Sequence, residues 1–146
     1  MVTGVDAGEH GHHADRVKAD DLQQIPLFAN LTDEVREKAA SKLQEIDVLI
    51  GTPLARKGDF AYHYFVVREG LAAVTIDDKH VDTLGPGASF GEIGVIERGK
   101  RTANVVAITP MRLLTMTVWD FNDLAEVSPE FAAHAKTMAQ ERLARD

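Results

Sequence analysis

Between Ile46 and Thr117 the chain is cut into short apolar runs, each closed by residues that turn a backbone. Ile46, Val48 and Ile50 alternate with other residues. Tyr62 to Arg68, Leu71 to Ile76, His80 to Leu84, Ala103 to Ile108 and Arg112 to Thr117 follow. Between these runs stand Gly51-Thr52-Pro53, Lys57-Gly58-Asp59, Glu69-Gly70, Asp77-Asp78, Gly85-Pro86-Gly87 and Thr109-Pro110. Glycine supplies a positive φ, proline a fixed one, and aspartate tolerates the left-handed region, so each cluster reverses the chain. Strands this short, at this spacing, predict a small β-sandwich or barrel rather than alternating βαβ units.

Helical patterns lie on both sides of this region. Asp20-Asp21 can cap a short turn carrying Leu22 and Ile25, which Pro26 interrupts. Thr32-Asp33-Glu34 reads as a helix start, and Val35, Ala39 and Leu43 extend it as an amphipathic helix over 33–43. After the strands, Thr117 to Asp120 precedes Phe121, Leu124 and Ala125, a short helix. Ser128-Pro129-Glu130 then places a cap residue before a proline at the first helical position, and Phe131, Ala135, Met138 and Leu143 give a second helix an apolar stripe. The expected fold class is mainly β with flanking α. Residues 1–19 are polar, contain Gly and His, and read as a flexible tail; residues 20–146 read as one domain.

Composition closes several routes. The sequence has no cysteine, so disulfide and thiolate chemistry are absent and a cytoplasmic setting is expected. No apolar stretch approaches a membrane span, and the N-terminus lacks the pattern of a signal peptide. The formal charge of −7, with Lys and Arg scattered apart from Arg98, Lys100 and Arg101, disfavours a polynucleotide partner. His10, His12 and His13 cluster in a tail without carboxylate or thiolate support, and His63 and His80 fall on different strands, so no metal site is expected. No nucleophile constellation can be assembled, and the chain is read as non-catalytic.

The residues from Phe90 to Val105 carry the chemistry. This stretch lies between two expected strands, is too long for a hairpin turn, and holds a small helical element of its own. Gly91 allows close backbone approach, and the turn after it offers free N–H groups at a helix start, where an anion is favoured. Glu92 is an acceptor suited to a sugar hydroxyl. Nine residues later Arg101 offers a planar fork that matches two phosphate oxygens. An acceptor and a phosphate clamp on one loop suit a ribose phosphate.

The order Phe90-Gly91-Glu92-Ile93-Gly94, then a loop ending in Arg101-Thr102-Ala103, resembles the phosphate-binding cassette of cyclic-nucleotide-binding domains. Pro26-Leu27-Phe28, Lys57-Gly58-Asp59, Phe65 to Gly70 and Leu84-Gly85-Pro86-Gly87 also look like family features. The resemblance implies an eight-stranded, jelly-roll-like β-roll with N-terminal helices and two C-terminal helices. It implies that Glu92 accepts from the ribose 2′-OH. Arg101 would pair with the cyclic phosphate, helped by backbone N–H groups around Gly91, Ile93 and Ala103. Thr102 would offer its hydroxyl to the phosphate or to the purine edge. Val74 and Leu84 would wall the purine pocket, and the final helix would form a lid with Met138, Arg142 or Arg145 in reach. The sequence departs from the family at Lys100, where many relatives place proline.

The expected ligand is therefore a cyclic nucleotide, cAMP favoured over cGMP, with no further cofactor. The expected role is a sensor that relays binding through its C-terminal helices to an effector protein in trans, since no DNA-binding, kinase, channel or acyltransferase segment is read in the chain. The rival reading keeps the fold but uses the Phe131, Ala135, Met138, Leu143 stripe for homodimeric protein contact with little nucleotide dependence.

Overall fold

Two strands are buried on both faces, and they set the layer order. The computed structural model describes residues 17–56, 62–90 and 103–145, with side chains through Met138. Among them are eight strands: β1 (Gln44–Val48), β2 (Pro53–Ala55), β3 (His63–Glu69), β4 (Ala72–Ile76), β5 (Lys79–Leu84), β6 (Ser89–Phe90), β7 (Asn104–Ala107) and β8 (Met111–Thr117). They form two four-stranded antiparallel sheets, in the orders β1-β8-β3-β6 and β2-β7-β4-β5. Three helices precede the strands, α1 (Ala19–Leu22), α2 (Pro26–Ala29) and α3 (Asp33–Lys42), and two follow, α4 (Val118–Val127) and α5 (Pro129–Arg145). This is the expected β-roll with flanking helices.

Successive side chains of a strand point to opposite faces, so a strand apolar at every position needs cover on both. In β3, Phe65 and Val67 face the second sheet, while Tyr64 and Val66 face the helices. In β8, Met111 and Leu113 take the first direction, Leu114 and Met116 the second. The helical layer meets them with Leu22, Leu27, Phe28, Ala39, Leu124 and Ala135. An aromatic series crosses this layer: Tyr64 to Phe121 at 4.7 Å, Phe121 to Phe131 at 5.1 Å, and Phe131 to Phe28 at 5.9 Å between ring centroids. Each fully buried ring or large aliphatic side chain contributes about 1.5–3 kcal/mol relative to exposure. Val17 also packs into this core, ahead of α1. Among the described residues the second sheet is covered on one face only. Ala72 and Val74 of β4, and Val105 and Ala107 of β7, are buried alternately with half-exposed neighbours.

Three helix starts follow the expected chemistry. Thr32 Oγ1 accepts from Val35 N at 3.2 Å, Thr117 Oγ1 from Asp120 N at 3.1 Å, and Ser128 Oγ from Phe131 N at 3.1 Å. Asp20 and Asp21, by contrast, lie inside α1, whose N-cap is Lys18, and Asp21 accepts from Lys18 N instead of capping the turn itself. Several boundaries differ. Pro26 does not merely interrupt a turn; it opens α2 at its first position, where its missing N–H costs nothing. Leu43 caps α3 in an extended conformation instead of continuing it. β1 ends at Val48, and Ile50 lies exposed in the following turn. Pro53 begins β2, which stands at the edge of its sheet, the position a residue without an N–H can occupy.

Candidate functional site

Val74, Leu84, Phe90 and Ala103 come from four separate stretches and meet inside the roll. Val74 is in the middle of β4, Leu84 closes β5, Phe90 closes β6, and Ala103 stands just before β7. All four belong to one apolar cluster between the sheets, shared with Phe65, Val67, Ala72, Val105 and Leu113. Register explains the assembly. β4 pairs with both β5 and β7, bringing Ala72 beside Leu84 and Val74 beside Val105. β6 pairs with β3, setting Phe90 opposite Phe65 with ring centroids 4.9 Å apart.

The segment holding the expected phosphate and ribose ligands is anchored at both ends by these strands. Phe90 ends the short strand on the edge of the first sheet, and Asn104 enters the second sheet opposite Thr75. The connection between them therefore passes from one sheet to the other. Gly91, Glu92, Ile93, Arg101 and Thr102 belong to residues 91–102 and lie outside the described residues. The described lining of the roll interior is apolar. It suits the faces of a planar base and holds no counter-charge for a phosphate, so any such charge must come from elsewhere in the chain.

The final helix reaches the same strand. Met138 of α5 brings its Sδ to 4.0 Å from Ser89 Oγ, one residue before Phe90, and also packs against the helical core. Arg142 lies on α5, one helical turn beyond Met138; its side chain lies outside the described residues. His134 Nδ1 stands 3.4 Å from Leu27 O and ties the same helix to α2. Sequence reasoning missed Phe65, Val67 and Ser89 as neighbours of the candidate pocket. Two lie in a run apolar at every position, where periodicity cannot say which face is which; nothing in the sequence marks Ser89.

Among the described residues, charged side chains cluster away from this interior. Arg68 bonds Glu45 at 2.9 Å and approaches Asp21 at 4.0 Å, joining sheet to α1. The Arg112 guanidinium is held above its ordinary range, chiefly by its hydrogen bond to Asp47 at 3.1 Å and by that carboxylate's charge. Burial acts against this, and Glu45 and Glu69 add smaller attraction. Among the described residues no group of three or more His, Asp or Glu is placed to hold a metal ion, and no helix is long and apolar enough to cross a membrane. The His10, His12 and His13 cluster lies outside the described residues.

Comparison with known proteins agrees with this architecture. A family model described as "Cyclic nucleotide-binding domain" matches residues 46–128. The potassium/sodium hyperpolarization-activated cyclic nucleotide-gated channel 4 of Oryctolagus cuniculus is 31% identical over 124 residues, 85% of this chain and 11% of the channel. The chain thus spans about a tenth of that relative's length. Among solved structures, the Thermus thermophilus catabolite activator protein superposes with a TM-score of 0.73 at 27% identity, over 82% of this chain and 58% of that one. The regulatory domain of Toxoplasma gondii PKA, crystallised with cAMP, shares the fold with a TM-score of 0.75 at 21% identity, over 84% and 48% of the two chains. With a family match over more than half its length and a β-roll whose strands frame the expected cassette, the chain belongs to the cyclic nucleotide-binding domain family.

Proposed function

We infer that residues 20–146 form a non-catalytic sensor of a cyclic nucleotide, with cAMP the favoured ligand and cGMP the alternative. One observation carries the reading. Phe90 and Ala103, which flank in sequence the segment that contains Glu92 and Arg101, join Val74 and Leu84 in one apolar cluster inside the roll. In this reading the base enters the apolar interior. Arg101, with backbone N–H groups near Gly91, Ile93 and Ala103, meets the phosphate, and Glu92 takes the ribose 2′-OH. Thr102 adds a hydroxyl at the phosphate or the purine edge. The relatives named above for nucleotide gating or cAMP binding support the ligand class.

Relay would run through α5. Its contact from Met138 to Ser89 supports a route from the strand that opens the cassette to the helix that would close over the base with Arg142. Binding shifts an equilibrium only if the nucleotide prefers the closed arrangement, and an effector in trans would read that shift.

Calorimetric titration with cAMP and with cGMP, on the parent protein and on Arg101→Ala, tests the site. Loss of the clamp should weaken binding by about 1.5–3 kcal/mol, the range for a hydrogen bond to a charged group. Unchanged affinity would remove Arg101 from the site. Equal hydrogen exchange in residues 128–146 with and without nucleotide would remove the relay.

A further inference from the structure

A large exposed aromatic surface stands on the helical side of the molecule. Trp119, the one tryptophan of the chain, is 64% exposed at the start of α4, and Tyr62 is 52% exposed beside it. Their rings stack with centroids 6.3 Å apart and planes 20° from parallel. A backbone hydrogen bond from Val118 N to Tyr62 O, 2.9 Å, fixes the two segments together, so the pair is held in place before anything meets it. Exposed tryptophan and tyrosine are unfavourable in water and are the residues that dominate binding energy at protein interfaces.

The helix that carries Trp119 continues with acidic residues, and another opens the helix after it. Asp123 and Glu126 follow Trp119 by one and two helical turns and share its side of α4, while Glu130 opens α5. Asp123 is 68% exposed, and Glu126 and Glu130 are exposed. Val127, also exposed, adds an apolar patch. The Lys42 ammonium lies 3.7 Å from Asp120 and 3.9 Å from Asp123, offsetting one of these charges. Among the described residues the face remains negative, on a chain of net charge −7.

We propose that the Tyr62–Trp119 pair and the acidic side of α4 form a docking surface for a basic, leucine-containing segment of a partner protein. The charge selects this occupant. A second copy would bring like-charged faces together, and an anionic membrane would be repelled in the same way. A segment with Arg and Lys meets Asp123, Glu126 and Glu130 with opposite charge. A guanidinium can lie over the Trp119 ring, and separate aliphatic side chains of the segment can cover Tyr62 and, about two turns along α4, Val127. The surface does not involve the roll interior, so it stands apart from the nucleotide reading.

Because Trp119 is the sole tryptophan, its fluorescence reports on this face alone. The full chain is titrated with a short synthetic peptide of alternating Arg and Leu, and with the same peptide carrying Glu for Arg. The expected result is a saturable change in emission with the basic peptide alone, weakening as salt is raised. Asp123→Asn with Glu126→Gln should weaken binding roughly tenfold, whereas the equal neutralisation Asp77→Asn with Asp78→Asn in the β4–β5 turn should change it less than about twofold. Trp119→Ala, followed by calorimetry, should lose the binding. The proposal is overturned by the absence of a saturable change, by equal response to both peptides, or by equal loss in the two charge variants. It is also overturned if the protein alone shows a concentration-dependent emission shift with a doubled mass, which would place a second copy on the face. The two peptide titrations of the unaltered chain decide the matter even where a variant fails to fold.

Discussion

Phe90 stacks on Phe65 with ring centroids 4.9 Å apart, and Phe90 is the last described residue before the segment that carries Glu92 and Arg101. A strand of two residues has few ladder bonds of its own. Just before it, Gly87 N donates to Val67 O of β3 and Ala88 O accepts from Val67 N, at 2.8 Å each. The ring contact adds a side-chain anchor at the residue where the cassette begins. Phe90→Ala removes a buried aromatic side chain and should destabilise the fold by about 3–5 kcal/mol, read from urea denaturation midpoints. Phe90→Leu should retain most of that stability. If Phe90→Ala denatures like the parent, the stack does not anchor the strand.

If Glu92 accepts from a ribose hydroxyl, the parent protein should discriminate against the 2′-deoxy form of its nucleotide. A hydrogen bond to a charged group is worth about 1.5–3 kcal/mol, so the preference should be about tenfold or more. Glu92→Gln should shrink that ratio while leaving affinity for the deoxy ligand nearly unchanged. A ratio that survives the substitution places the 2′-OH contact on another residue.

Gly70 has φ +92°, and a Cβ built there would fall 2.3 Å from Pro110 O. Both the conformation and the space require glycine. Gly70→Ala should cost at least about 2 kcal/mol, with a matching fall in thermal midpoint. Gly51 also has a positive φ, but open space around it, so Gly51→Ala should cost less.

Two arginines with several carbonyl or carboxylate partners should behave differently. Arg36 is buried and donates to Phe28 O, to Ala29 O at 3.0 Å and to Leu31 O, closing the carbonyl end of α2, and it also pairs with Asp33. Removing it strands buried acceptors, so Arg36→Met should cost about 1.5–3 kcal/mol. Arg112 meets Asp47 at 3.1 Å and Glu69 at 3.6 Å with its side chain 44% exposed, and Arg112→Met should cost under about 1 kcal/mol. Its guanidinium is raised in the folded state, so its contribution is fully present below the unfolded pKa and is lost only as the solution becomes strongly alkaline. Denaturation of Arg112→Met should thus differ from the parent by the same small amount across neutral pH.

Ser128 accepts from Phe131 N at 3.1 Å and is itself buried between the two C-terminal helices. Ser128→Ala should cost about 1 kcal/mol, the usual loss for a helix cap. Hydrogen exchange should show faster opening of the first turn of α5, and unchanged exchange there would assign the loss elsewhere.

Much of the architecture is legible in the amino-acid sequence. Turn residues with special backbone needs are visible as residue types, which is why Asp77 and Asp78, with φ of 52° and 67°, could be read as the β4–β5 reversal. Helix caps are equally local, and Thr32, Thr117 and Ser128 act as their side chains dictate. The order of Phe90, Gly91, Glu92, Arg101 and Ala103 is a property of the sequence alone, and it named the family that the strand topology and the family match bear out. The sequence was weaker where a decision depends on residues far along the chain. It put Ile50 in a strand because alternation continues past Val48, yet β1 stops where its partner β8 begins at Met111. It did not separate Pro53–Ala55 or Ser89–Phe90 as strands, because two or three residues carry no period of their own. Those strands exist through partners on β7 and β3. Which side of β3 faces the pocket was likewise settled only when helices covered Tyr64 and Val66 and left Phe65 and Val67 to the roll interior. Local chemistry sets turns, caps and the cassette order, since each needs only neighbouring residues. Sheet order, strand faces and the meeting of Val74, Leu84, Phe90 and Ala103 depend on burying apolar surface between distant segments, and only the tertiary structure decides that.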